Sequence, residues 1–221
     1  MRRLTAPSSM ALPLWAALSV LFSTLQAQSS DNWVLRGEKD DVQVYYRQTS
    51  DVHELKLVTT IRTSLAGIVQ LFDDVPSYPQ WGYHLMEARL VKRVSETEMY
   101  YYSRFDFPWP LSDRDLIMHT QLKQDPNTRT VTSVSVAVPD MLPEVEGVVR
   151  IRKAHSKWVI CPAKPGVLNV EYYLYSHPGG QLPGWLINMA VDIGPRESIK
   201  KMRALLLDPT YRNARLAHVR E

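Results

Sequence analysis

The chain is predicted to fold as an α+β domain in which a curved antiparallel sheet wraps around one long C-terminal helix, and three observations carry that expectation. Short segments rich in Val, Ile, Thr and Tyr, with apolar and polar residues alternating, dominate from Asp41 to Ser176, which is the strand period. Turn chemistry at Asp125-Pro126-Asn127 and Pro162-Ala163-Lys164-Pro165-Gly166 separates several of them and implies antiparallel neighbours. From Leu182-Pro183 the period changes, because Trp185, Leu186, Met189, Ile193, Ile199, Met202 and Leu206 recur at helical spacing. A strongly curved sheet closed by a single helix leaves an interior that its side chains do not fill, and such spaces hold ligands.

Taken in order, the chain opens with Arg2 and Arg3 before an uncharged apolar run from Ala11 to Leu25, followed by small and polar residues, Gln26 to Ser30. This reads as a secretory signal peptide over 1–27. At 15 residues the run is shorter than the roughly 20 that a membrane-spanning helix needs. The expected location is therefore exported, periplasmic or secreted, with one mature domain over 28–210. Strands are expected over 42–47, 54–63, 88–94 and 98–107. Between the second and third, Leu65, Ile68, Val69 and Phe72 fall at helical spacing behind Ser64, which can cap the turn. Strands continue over 114–123, 131–138, 148–153, 157–161 and 167–176. Gly194-Pro195 interrupts the closing helix, so a kink or a restart is expected there. The polar, basic tail 211–221 is expected to fray.

Composition bounds the partners. With 45% hydrophobic and 22% charged residues the chain holds enough apolar side chain for a core and is not of the disordered class. The net charge is +3, and two of the basic residues, Arg2 and Arg3, leave with the leader, so a nucleic-acid-binding surface is not indicated. Cys161 is the single cysteine; no intramolecular disulfide can form, and its setting in Trp158-Val159-Ile160-Cys161 reads as a buried strand residue. The six histidines are scattered without ligand spacing, and no H-E-x-x-H, G-x-S-x-G, G-x-G-x-x-G or P-loop is present. No metal, cofactor or catalytic residue is assigned, and a monomer is expected.

Phe107-Pro108-Trp109-Pro110-Leu111-Ser112-Asp113-Arg114-Asp115 resembles the loop and strand start of START domains, the lipid-binding modules named after the steroidogenic acute regulatory protein. Gly147-Val148-Val149-Arg150, Leu182-Pro183 with Ile187-Asn188, Pro195, and Met202-Arg203 follow in the family's order and at similar distances. The resemblance covers about Trp33 to Leu207. It implies a helix-grip fold with an internal hydrophobic tunnel between sheet and helix, gated by that helix and the loop carrying Trp109. In sterol-binding members a carboxylate and an arginine face each other inside the tunnel. Those positions fall on Tyr101 and Thr120, so this chain lacks that pair.

Alternation selects the residues facing inward. Leu116, Met118, Thr120 and Leu122 form the more apolar face of their strand, and Tyr101, Ser103 and Phe105 oppose a face carrying Arg104 and Asp106. In the last strand alternation does not decide. The resemblance favours Glu171, Tyr173 and Tyr175 as inward, and a buried Glu171 would then need a partner. Met189 and Met202 of the closing helix complete the candidate ligand-binding set. Trp109, Trp185, Gly194 and Pro195 are the candidate gate, with Trp109 read either as a gate or as an exposed edge aromatic. Arg114 reads as a clamp tying its loop to backbone or carboxylates, since Arg offers five fixed donors.

The leading functional expectation is a non-catalytic carrier or sensor of a hydrophobic small molecule such as a lipid, with transient membrane contact. At about 0.8 kcal/mol per buried CH₂, an acyl chain of roughly 16 carbons is worth about 13 kcal/mol against water, so unaided escape from a bilayer is slow. One alternative is a cyclase or hydratase using the same cavity through Glu171 with Tyr173 or Tyr175. Another is an exported protein-interaction domain whose cavity is filled by side chains.

Overall fold

Successive strand segments meet through tight turns, and their pairing builds one sheet. The computed structural model describes residues 32–48, 53–177, 179–180, 182–183, 185–186 and 193–221. The expected leader, 1–27, and Met189 lie outside the described residues. The strands are β1 (Val34–Lys39), β2 (Val42–Gln48), β3 (His53–Ile61), β4 (Leu85–Ser95), β5 (Glu98–Phe105), β6 (Arg114–Gln124), β7 (Val131–Ala137), β8 (Val149–Arg150), β9 (Lys153–Lys164) and β10 (Val167–His177). They order as β1-β2-β3-β10-β9-β7-β6-β5-β4, antiparallel throughout, with β8 pairing in parallel on the start of β6. Helices α1 (Leu65–Asp73), α2 (Tyr78–Trp81), α3 (Gly194–Leu205) and α4 (Pro209–Arg212) accompany it.

Local chemistry sets these boundaries. Ser64 caps α1, its Oγ accepting from the Gly67 N–H at 3.0 Å. At the β9–β10 hairpin Lys164 pairs with Val167 across Pro165-Gly166, and Gly166 takes the positive φ of 71° that the turn requires. Helix α3 starts at Gly194 with Pro195 in its first turn, where the missing N–H costs nothing.

The core joins the inward faces of β2, β3, β9 and β10 (Val44, Leu57, Ile160, Val170) to α1 through Ile68 and Val69 and to α3 through Ile199 and Met202. Each of these side chains is worth about 1.5–3 kcal/mol by burial. A smaller cluster of Val75, Tyr78 and Met99 stands apart from it.

Three expectations need correction. The tail does not fray: Tyr211, Ala214 and Val219 are buried in the core, and the Glu221 carboxylate accepts from the N–H groups of Leu65 and Ala66 at 3.0 and 2.9 Å. Sparse apolar residues within a polar segment suffice to dock it. β1 was not expected, because it is an edge strand with Val34 and Leu35 exposed and carries no alternation. The separate strands expected over 148–153 and 157–161 are instead the two-residue β8 and a continuous β9; Ser156, polar yet buried, masks the period between them.

Candidate functional site

A cavity of about 570 Å³ lies between the inner face of the sheet and the helices. The alternation of β5 and β6 positions its largest wall. Tyr101, Ser103 and Phe105 line it from β5, and Leu116, Met118 and Thr120 from β6. Leu122 packs on the core instead. Aromatic rings close one side, where Tyr78 meets Trp81 and Tyr101 edge to face at 5.1 and 5.4 Å, and Trp158 packs at a tilt on Tyr172 at 4.2 Å.

Polar wall groups are mostly hydroxyls. Thr120 and Ser135 share a hydrogen bond of 2.7 Å, and the Tyr101 hydroxyl lies near both. Burial pushes the Tyr101 phenol up to about 12, more than the neighbouring Ser135 and Thr120 hydroxyls pull it down. The Tyr172 phenol, beside Ser156, is raised for the same reason. Tyr101 and Thr120 therefore present neutral hydroxyls to the cavity, with no ion pair between them.

The loop after β5 and the start of α3 form the mouth. Phe107 and Pro108 line it, with Gly194, Pro195, Ser198 and Ile199 of α3 and Leu182 and Leu186 before it. Ser198 Oγ accepts from the Tyr83 N–H at 3.1 Å, and Gly194 packs so closely on the Tyr83 ring that a Cβ would stand 3.0 Å from it. His84, whose ring faces Asp106 at 3.5 Å, sits on the rim with both side chains well exposed. Trp109 points the other way and is 92% exposed, as is much of Trp185.

Arg114 and Asp115 both act behind the wall. Asp115 pairs with Arg150, both fully buried. Arg114 is buried, donates to the Ser112 carbonyl and lies over the Phe107 ring at 4.3 Å. It is a clamp on the mouth loop, with its basicity lowered by desolvation.

Glu171, Tyr173 and Tyr175 do not face the cavity. Strand β10 pairs Leu174 with Leu55 and Tyr172 with Leu57, and those leucines are buried. The inward set is therefore Leu168, Val170, Tyr172 and Leu174. Glu171 accepts from the Tyr173 hydroxyl at 2.5 Å on the outer face, where Lys56 lies between the rings of Tyr45 and Tyr173. Met202 also leaves the candidate set. It shares a helical stripe with Pro195 and Ile199, but the cavity ends at Ile199 and Met202 is sealed in the core. Ser133, Ser135, Ser156, Tyr172 and Leu174 are wall residues that sequence reasoning missed. The pairing of β7 with β6 was the signal: Ser135 stands directly opposite Thr120.

A sheet that grips a C-terminal helix around an apolar internal space defines a helix-grip domain. The START domain model matches residues 14–210, and the chain belongs to the START domain family. An uncharacterized protein of Pseudomonas aeruginosa is 30% identical over 79% of this chain and 87% of its own length. The mouse phosphatidylcholine transfer protein is 28% identical over 80% of this chain and 84% of its own. Among solved structures, a STAR-related lipid transfer protein fragment from Xanthomonas axonopodis superposes with a TM-score of 0.73 at 29% identity, covering 80% of this chain and all of that one. Human STARD10 shares the fold, with a TM-score of 0.69 at 20% identity over 81% of this chain and 75% of its own. Family membership and the cavity together support lipid binding.

Proposed function

We propose that this protein is an exported, monomeric and non-catalytic carrier that takes one lipid or similar hydrophobic molecule into the cavity. The apolar space of about 570 Å³ between the sheet and α3 is the observation that carries this reading. The names of the relatives, two of them lipid transfer proteins, support it. The enzyme reading loses its groups, since Glu171, Tyr173 and Tyr175 stand on the outer face, and the acid and imidazoles that touch the cavity, Asp106, His84 and His177, are at its exposed rim.

Loading takes place at a membrane surface. The segments that wall the mouth also turn indoles outward: Phe107 and Pro108 face in while Trp109 faces out, and Leu186 faces in while Trp185 faces out. Indole rings favour the bilayer interface. Gly194 and Pro195, at the start of α3, are where the mouth opens. The signal-peptide pattern of residues 1–27 supports export.

Transfer of a fluorescent lipid from quenched donor vesicles to acceptor vesicles tests the carrier reading. Transfer proportional to protein concentration is expected, and neither transfer nor uptake would overturn it. Fractionation of the host tests export, with a mature N-terminus at Gln28 outside the cytoplasm as the expected result. An intact Met1 in the cytoplasm would refute it.

A further inference from the structure

A row of hydroxyls crosses five strands of the cavity wall, with the hydroxyls of Ser103, Ser133 and Ser176 elsewhere on the same wall. Thr120 of β6 stands opposite Ser135 of β7, which stands opposite Ser156 of β9. Tyr101 on the neighbouring β5 and Tyr172 on the neighbouring β10 line the same wall. Thr120, Ser135 and Ser156 are all buried.

No formal charge accompanies this row. Among the described wall residues the acid and the imidazoles are Asp106, His84 and His177, and these sit on the solvent-exposed rim. Arg114 lies behind Phe107 and does not line the space. Arg104 is held outside by Asp113 at 2.6 Å. An ion taken inside would lose its water and meet no counter-charge, which is strongly unfavourable. Aromatic walls alone would suit a quaternary ammonium. The phosphate carried beside it would still be buried against hydroxyls and no cation.

Hydroxyl rotors both donate and accept, so they satisfy either an alcohol or a carbonyl oxygen. We infer that the cavity selects lipids with an uncharged oxygen head, a hydroxyl or carbonyl, buried against the Tyr101–Thr120–Ser135–Ser156–Tyr172 row, and discriminates against phosphodiester headgroups. This rests on the lipid-binding reading and names its substrate class.

The test offers the full mature chain vesicles of dioleoylphosphatidylcholine doped with dioleoylglycerol in one arm and with cholesterol in another, followed by native mass spectrometry. A neutral-lipid adduct at one per chain is expected in at least one arm, over the bulk phosphatidylcholine. The arm that loads tells a glyceride from a sterol. A dominant phosphatidylcholine adduct in both arms overturns the inference and leaves lipid binding intact, whereas no adduct of any lipid overturns both. In the Thr120→Val/Ser135→Ala variant, neutral-lipid retention is expected to fall roughly tenfold, with the melting temperature reporting that it folds. Tyr101→Phe, which removes one oxygen, gives the same direction if the double variant does not fold. Unchanged retention in a folded variant contradicts the role of the row.

Discussion

Arg150 places all five of its N–H donors. Nε and Nη2 hold the Asp115 carboxylate at 2.6 and 3.0 Å, and the other three bonds reach the carbonyls of Pro139, Leu142 and Pro143. Asp115→Asn therefore leaves a buried guanidinium without counter-charge, and a loss of about 3–5 kcal/mol in urea unfolding is expected; a loss within the range of surface substitutions would contradict this. The phenols of Tyr78, Tyr101 and Tyr172 are raised above their ordinary value of 10 by burial. A raised folded value means that the stability they contribute is present below pH 10 and lost as pH rises through the folded value, about 12 for Tyr101. Their phenolate absorbance should appear only as the chain unfolds in alkali, not near the ordinary pH. Strands β5 and β6 were legible in the sequence at this scale because Arg104 marks the outer face of β5 and Leu116, Met118 and Leu122 make one face of β6 the more apolar. In β10 tyrosines occupy both faces, and only the pairing with Leu55 and Leu57 decides.

At the scale of elements, the end of the chain binds α1 and the end of β6. Glu221 adds a second cap to α1 beside Ser64, the Tyr211 hydroxyl donates to Asp74 at 2.6 Å, and the Gln124 side chain bonds the Arg220 backbone at both its N–H and its carbonyl. Removing 211–221 exposes the site of Tyr211 and uncaps α1. A loss of at least about 2 kcal/mol from the ring alone is expected in thermal or urea unfolding. An unchanged melting temperature would mean that the tail contributes no docking energy. Sequence polarity hid this contact, because composition averages over the few apolar residues that dock. Helix α1 was legible, its cap and apolar spacing agreeing. The short α2, built on Tyr78 to Trp81, carries too few residues to show a period.

For the whole molecule, closure of the sheet by α3 leaves more space than the side chains fill, as the curved sheet and closing helix implied. Its depth was not legible. The cavity stops at Ile199 because Met202 and Leu206 are taken by the core, a division that depends on tertiary packing alone. The fully exposed side of Trp109 predicts that Trp109→Ala slows vesicle-to-vesicle transfer several-fold while leaving the melting temperature unchanged, since its ring makes little contact with the fold. Unaltered transfer would remove Trp109 from the membrane contact. The most direct test of the carrier account is native mass spectrometry of the mature chain purified from its own host, followed by solvent extraction of whatever accompanies it. The account predicts one hydrophobic molecule per chain. An empty protein that also takes up no lipid from vesicles would contradict it.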